Sequence, residues 1–401
     1  MLKCLISNSS KLEKIIDLGF HPYADTFIKK NQVNLSEPIF PLQCYLCKLS
    51  GSIQLNHLTN ANERYNLYDY SYTSSNSEYS KNHWKKFCDE ITFNLKLHSK
   101  AKIIEIGSND GYLSKQFKKK GHKVVGVDSS KLMCDISKKN GIKTYQGMFS
   151  LNFSKKIISK EKKFDVLIAN NVVNHSNNPL DFISGVKKAL KNNGHFIFEL
   201  PYWLDTIKSK KYDQIYHEHI TYFTVKFAYN LLSKYGLQII NIDRNEYHGG
   251  SIRFYAKKTR SKIFKASLVK KMIKIEENEG LFQVFTYHQL MKKIEKNKLK
   301  FLERIYSIKK KGNIIIAVGA AAKGNTFLNY HRLDNSIITY VTDSSKLKIG
   351  KYTPLSRIPI TNDKIFSKYK NVYALILSWN ISKNLVTNLK KINKKIKFLR
   401  Y

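Results

Sequence analysis

The residues able to do chemistry fall in a few short clusters. Tyr216-His217-Glu218-His219 puts two imidazoles, a carboxyl and a phenol within four positions. Histidine gains and loses protons near neutral pH, so the group suits proton removal from a substrate. A metal site is a second reading, because His217 and His219 share one face if the segment is extended. A hydrogen-bonded structural cluster is a third. Glu105-Ile106-Gly107-Ser108-Asn109-Asp110-Gly111 ends one apolar run and opens a helical stretch. Its glycines let backbone approach a ligand at a helix N-terminus. Asp128 ends the next apolar run, about twenty residues on, where a carboxylate takes the hydroxyls of a ribose. The plain alternative is a tight strand–helix turn with no ligand. Val318-Gly319-Ala320-Ala321-Ala322-Lys323-Gly324-Asn325-Thr326 also comes after an apolar run and opens a helix, which makes an anion cradle with one Lys. It lacks the Walker A pattern, so it points to a nucleotide diphosphate held without cleavage. Asp343, after the next run, serves a ribose or caps a turn. His248-Gly249-Gly250-Ser251-Ile252-Arg253 reads equally as a turn into a strand and as a substrate contact. Cys44-Tyr45-Leu46-Cys47 has metal-ligand spacing, with Cys4 as a distant partner, whereas Cys88 and Cys134 sit in helix-like patterns as buried thiols.

A strand–helix alternation must position these groups. Runs at 103–106, 124–127, 164–169 and 195–200 are apolar enough for parallel strands buried on both faces. Runs at 237–240 and 251–255 and a weak one near Thr144 complete a set of seven. Helical stretches such as 179–190 and 224–235 separate them, which implies a doubly wound parallel sheet in an α/β protein. Before it come short strands around the Cys pair, a Tyr/Ser/Asn-rich link from Tyr65 to Tyr79, and a helix near 82–98. After it, charged helices over about 267–310 precede a smaller strand–helix unit with runs at 314–318, 338–341 and 372–377. The expected domains are 1–65, 66–258 and 259–401, in keeping with 401 residues being too long for one core.

Composition narrows the function. The formal charge of +40 invites a nucleic-acid reading. The charge is nearly all Lys spread evenly along the chain, and Asn and Ile are over-used with it, as in proteins of AT-rich genomes. The lysine excess favours an anionic substrate instead. No signal-peptide pattern and no apolar run of about 20 residues occurs, so a cytoplasmic protein without membrane contact is expected. Five Cys make no disulfide scaffold.

The Glu105–Gly111 loop fits the acid-x-Gly-x-x-x-Gly pattern of class I methyltransferases rather than the NAD pattern. Ala169-Asn170-Asn171-Val172 stands where nucleobase methyltransferases of that fold carry an Asn/Asp-Pro-Pro-aromatic box, which counts against a nucleobase substrate. Together with Asp17-Leu18-Gly19, Tyr216–His219, His248–Arg253, Lys323–Thr326 and Ile376-Leu377-Ser378-Trp379-Asn380, these segments resemble sugar C-methyltransferases acting on nucleotide-linked deoxysugar ketones. The resemblance spans nearly the whole chain. It implies a zinc-ribbon-like N-terminal domain, a class I methyltransferase Rossmann-like sheet, and a second Rossmann-like domain for the sugar nucleotide. It implies S-adenosylmethionine held by Glu105, Gly107, Asn109, Gly111, Asp128 and Asn170. His219 is then the general base, with Tyr216, Glu218 and His175 beside it, and His248, Arg253, Lys323, Asn325 and Thr326 meet the substrate. Cys4, Cys44 and Cys47 are three of four expected zinc ligands. Ser7 stands at the fourth position, so zinc occupancy is expected to be partial or nil unless a water or His57 completes the shell. Asn174 and Ser378 also depart from the family's usual small residue and Pro. An O- or N-methyltransferase of another metabolite and a non-catalytic sugar-nucleotide binder are the alternatives.

Overall fold

The structure, a computed structural model, describes residues 2–61, 63–64, 73–75, 77–259, 266–399 and 401. Most of the Tyr65–Tyr79 link and the expected boundary at 65/66 lie outside the described residues.

The first sheet is antiparallel: β1 (Glu13–His21), β2 (Phe40–Cys47) and β3 (Ser52–Leu55), with a late strand β9 (Thr221–Tyr222) added beside β3. Along β2, Leu42, Cys44 and Leu46 are fully buried, the period of two of a half-covered strand. The pairing of β9 with β3 ties the segment just after His219 to the N-terminal sheet.

Seven strands form the central sheet: β4 (Lys102–Ile106), β5 (Lys123–Asp128), β6 (Lys143–Gln146), β7 (Phe164–Ile168), β8 (Leu190–Pro201), β10 (Leu237–Asn245) and β11 (Ser251–Lys258). Their order is β10-β11-β8-β7-β4-β5-β6, all parallel except β11, which runs against both neighbours. Ile103, Ile104, Val166, Leu167 and Ile168 lose all exposure at the middle of the sheet. Each such side chain contributes about 1.5–3 kcal/mol of hydrophobic stabilisation. Helices cover both faces, and side-chain oxygens start several of them. Ser130, Ser150 and Thr224 each accept a backbone N–H at the N-cap, worth about 1 kcal/mol apiece. The helix expected near 82–98 runs Glu78–Asn94, because the Ser77 hydroxyl accepts from Ser80 N–H and sets an earlier start.

Helices Ala266–Asn278 and Val284–Lys310 lead to a third sheet. It holds β12 (Ile314–Val318), β13 (Tyr340–Thr342), β14 (Ile360–Thr361), β15 (Val372–Ile376) and β16 (Lys397–Leu399), all parallel in the order β14-β13-β12-β15-β16. The three sheets are bonded together. Asn325 Nδ2 donates to Ala24 O at 2.6 Å, and Trp379 Nε1 donates to Asp213 Oδ2 at 2.6 Å. Among the described residues, no helix is long and apolar enough to cross a membrane.

Candidate active site

One cavity of about 670 Å³ opens at the carboxyl ends of β4, β5 and β7 and continues to the carboxyl ends of β12 and β13. Open α/β sheets bind ligands at such crevices. On the central-sheet side it is lined by Glu105, Gly107, Asn109, Asp128, Asn170 and Phe149, among others. Asp128 accepts Asn109 N–H and Ser130 N–H, each at 2.9 Å, so the acid braces the glycine loop. Burial pushes its carboxyl up to about 6 and that of Glu105 up to about 8, the latter holding the Ser114 hydroxyl at 2.5 Å. Gly107 has φ +68°, and a Cβ there would lie 2.2 Å from Val172 Cγ2, so only glycine leaves this cradle open. Asn170 accepts Glu199 N–H through Oδ1, while its buried Nδ2 has no partner among the described residues. These features fit S-adenosylmethionine. Gly111 does not line the cavity. It starts helix Tyr112–Lys119 with φ +78° and packs against Ser137.

Tyr216, Glu218, His219 and His175 line the same cavity. The 216–219 segment is a turn, with His219 N–H bonded to Tyr216 O. His219 Nδ1 lies 3.0 Å from Gln214 O and Nε2 lies 2.8 Å from Tyr216 Oη. A carbonyl only accepts, so Nδ1 carries the proton and Nε2 keeps its lone pair. Burial lowers the His219 pKa to about 4, so the ring is neutral at pH 7 and Nε2 is unprotonated. The His175 ring centre is 5.0 Å away; the residue is half-buried, and desolvation holds its pKa well below the ordinary range. Glu218 Oε1 accepts Asp25 N–H at 3.0 Å, Oε2 is buried without a partner among the described residues, and burial raises the carboxyl to about 7. His217 turns elsewhere, with Nε2 3.2 Å from Phe40 O and its ring against Phe40 and His57. The metal reading requires His217 and His219 to share a face, and the turn sends them to different partners.

His248 and Lys323 reach the cavity. His248 takes φ +52° with its ring against Tyr247, and burial lowers its pKa to about 3. Lys323 bonds Asn380 Oδ1, lies over the Trp379 ring at 4.2 Å, and is lowered to about 8 by burial. Arg253, Asn325 and Thr326, expected at the substrate, are not brought to the cavity. Arg253 is spent on Glu199 at 2.8 Å and Glu90 at 2.7 Å. Asn325 and Thr326 bond Ala24 O and Ile215 O, joining the third sheet to the rest. A buried Arg must be fully paired, and a loop-bearing helix must be anchored, so these polar side chains serve the frame.

The cysteine set also differs from expectation. Cys4 Sγ lies 3.2 Å from Ser50 Oγ, Ser7 Oγ lies 3.5 Å from Cys47 Sγ, and Cys47 is bonded by Ser50, Ser7 and Cys4. The converging quartet is therefore Cys4, Ser7, Cys47 and Ser50. Cys44 is three residues from Cys47 on a strand, hence on the opposite face, and burial alone raises its thiol. His57 stacks on Phe40 instead. Among the described residues, no three His, Cys, Asp or Glu side chains converge as a metal site. Two thiols and two hydroxyls do not fit structural zinc, which takes four Cys or His ligands.

Several residues at the site carry no motif. Arg64, in a chain whose positive charge is mostly Lys, is buried and bonds Thr59 Oγ1, His217 O, His175 O and Asn177 Oδ1. It links both histidine segments, a task that suits the rigid guanidinium fork. The rarity of Arg in a Lys-rich chain is the available signal. Gln214, Asp25 and Lys348 give none.

Three family models match in order: a "Putative zinc binding domain" over residues 4–65, a "Methyltransferase domain" over 79–242, and a "C-methyltransferase C-terminal domain" over 246–400. C-methyltransferase NovU of Streptomyces niveus is 24% identical over 389 residues, 97% of this chain and 92% of that protein. The ubiquinone biosynthesis O-methyltransferase of Pelagibacter ubique is 33% identical over 93 residues, 23% of this chain and 39% of its own. Magnesium protoporphyrin IX methyltransferase from Synechocystis PCC 6803 is 14% identical, with TM-score 0.36 over 44% of this chain and 83% of its own. The chain belongs to the C-methyltransferase family that joins a zinc-binding-type N-terminal domain, a methyltransferase domain and a C-methyltransferase C-terminal domain, and it is an S-adenosylmethionine-dependent C-methyltransferase.

Proposed function

We propose that the methyl group goes to a carbon adjacent to the ketone of a nucleotide-linked keto sugar. The observation that carries this reading is His219 Nε2. It is an imidazole lone pair oriented by the Gln214 carbonyl, in a cavity shared by the donor loop and the Lys323 cradle. A ketone acidifies the neighbouring C–H enough for a neutral imidazole to remove the proton. His219 takes that proton on Nε2, and its Nδ1–H bond to Gln214 O keeps the ring oriented as it becomes cationic. Glu218 and Tyr216 line the same cavity, and in this reading they help to hold the enolate in line. Bound S-adenosylmethionine supplies an electrophilic methyl on a sulfonium. Support for a nucleotide-linked substrate comes from the motif resemblance, the excess of positive charge and the cradle at Lys323.

Hydrogen exchange tests the base directly. In deuterated water, with S-adenosylhomocysteine in the donor site, the parent should wash out the hydrogen next to the ketone of a nucleotide-linked 4-keto sugar. His219→Ala should slow exchange by about 10²–10⁴-fold, the usual contribution of a positioned base, while binding the donor analogue normally. Persistent exchange in the variant would move the role to Tyr216 or His175. Absence of exchange in the parent with every keto sugar it binds would sink carbon methylation next to a ketone.

A further inference from the structure

Two turns of the N-terminal unit are built alike and meet. Cys4-Leu5-Ile6-Ser7-Asn8 and Cys47-Lys48-Leu49-Ser50-Gly51 both run Cys-x-x-Ser and then a left-handed residue, with φ +58° at Asn8 and +71° at Gly51. In each, the amide of that last residue donates to the carbonyl of the Cys, at 3.0 Å from Asn8 to Cys4 and 2.9 Å from Gly51 to Cys47. The side chains then pair crosswise. Cys4 Sγ lies 3.2 Å from Ser50 Oγ, Ser7 Oγ lies 3.5 Å from Cys47 Sγ, and the two thiols bond each other. Gln54 holds the first turn in place, its Oε1 accepting Leu5 N–H and its Nε2 donating to Lys3 O, each at 3.0 Å. Cys4, Cys47 and Ser50 are buried and Ser7 is half-buried, while Lys3, Asn8 and Leu49 beside them are exposed.

A unit the size of residues 4–65 rarely holds on a hydrophobic core alone and usually carries a metal or a disulfide. Two thiols with two hydroxyls do not suit the metal. What the turns keep is one thiol each, and those thiols are neighbours. Joining them closes a loop of about 43 residues, and so long a cross-link takes more freedom from the unfolded chain than a short one does. Spacing alone would pair Cys47 with Cys44 instead. Those two stand three positions apart on β2, so their side chains leave opposite faces and cannot be bridged without moving the strand.

We propose that Cys4 and Cys47 are a modification site, a dithiol that a peroxide closes to a disulfide and a small thiol reopens. One sulfur attacks hydrogen peroxide, the O–O bond breaks, and a sulfenic acid and a water result. The second thiol attacks that sulfur and expels its oxygen as another water, so two thiols and one peroxide give one disulfide and two waters. Exchange with two equivalents of a small thiol, itself oxidised to a disulfide, restores the pair. Asn230 Nδ2 donates to Ser50 O and Thr224 Oγ1 to Gly51 O, each at 3.0 Å, which seats the second turn on helix Val225–Ser233. Closing the pair therefore fastens the Cys4 turn to the methyltransferase domain by a covalent path.

Peptide mapping of the full chain tests this, after reduction with dithiothreitol, its removal, exposure to a few equivalents of hydrogen peroxide, and alkylation in denaturant. The expected product is a Cys4–Cys47 peptide pair, lighter by two hydrogens and lost on renewed reduction, with Cys44, Cys88 and Cys134 still alkylated. The oxidised parent should melt several degrees above the reduced one, as a loop of this length implies, and Cys4→Ser should show no such gain. Calorimetry with S-adenosylhomocysteine reports whether that variant is folded, and Cys47→Ser takes its place if it is not. A Cys44–Cys47 bond, separate oxidation of Cys4 and Cys47 to sulfinic acids, or full alkylation of both after peroxide overturns the pairing. A cross-linked protein that melts no higher than the reduced one overturns the staple.

Discussion

Replacing Asp128 by Asn separates donor recognition from loop architecture. In the parent, the two carboxylate oxygens accept Asn109 N–H and Ser130 N–H at 2.9 Å each. Asn has the same shape, but its amide nitrogen cannot accept, so one of these N–H groups loses its partner. A buried donor left unpaired costs about 1–3 kcal/mol. Against this, burial pushes the Asp128 carboxyl up from 3.8 to about 6. Its ionised form at pH 7 therefore costs about 3 kcal/mol of stability, which a neutral amide is spared. The two effects offset, and urea unfolding at pH 7 should place the variant within about 2 kcal/mol of the parent. Donor affinity has no such offset. Loss of a charge-assisted bond to the ribose should weaken S-adenosylhomocysteine by about 1.5–3 kcal/mol, or roughly 10–150-fold in Kd by calorimetry. The pH dependence comes from the same shift. The folded carboxyl holds its proton to higher pH than the unfolded one, so this site's contribution to stability falls as pH rises from about 4 to about 6. The variant lacks that fall. Parent affinity for the donor analogue should weaken between pH 7 and pH 5 as Asp128 protonates, and the variant should stay flat. Glu105, pushed up to about 8, is protonated at both values and does not confuse the comparison. A variant several kcal/mol less stable with unchanged affinity would show that Asp128 braces the loop and does nothing more.

Gly107→Ala should abolish donor binding and lower Tm, because its Cβ falls 2.2 Å from Val172 Cγ2 at φ +68°; normal donor affinity in this variant would refute the cradle. Arg64→Lys should lower kcat while leaving donor affinity intact, and should cost about 1.5–3 kcal/mol of stability, since one ammonium cannot hold four acceptors on several segments. Unchanged kcat would show that the guanidinium does not position the histidines. Metal analysis of protein purified without added zinc should find clearly less than one equivalent, and Ser7→Cys with Ser50→Cys should raise it toward one. A full equivalent in the parent would mean that the Cys4, Ser7, Cys47 and Ser50 quartet has been misjudged as a zinc site.

Much of the frame is legible in the chain itself because its signals are local. Strands buried on both faces must be mostly apolar, so the runs at 103–106, 164–169 and 314–318 announce β4, β7 and β12 without help. The glycine loop and Asp128 are readable for the same reason: their backbone geometry is set within a few residues and one strand spacing. The short strands β14 and β16 are not, since two or three residues carry no pattern until a sheet edge pairs with them. Long-range packing decides the rest. The quartet of Cys4, Ser7, Cys47 and Ser50 is assembled across 46 positions, and the partner of Cys4 is a serine that spacing rules never search for. Arg253 sits in a suggestive motif but faces the buried Glu199, its cross-strand neighbour between β11 and β8. His219 owes its tautomer to the Gln214 carbonyl and its low pKa to burial by other segments. Residue types and their order determine which chemistry is available here. Which nitrogen holds the proton, and which polar side chains are left for a substrate, depend on desolvation and hydrogen bonding that exist only once three sheets close around one cavity.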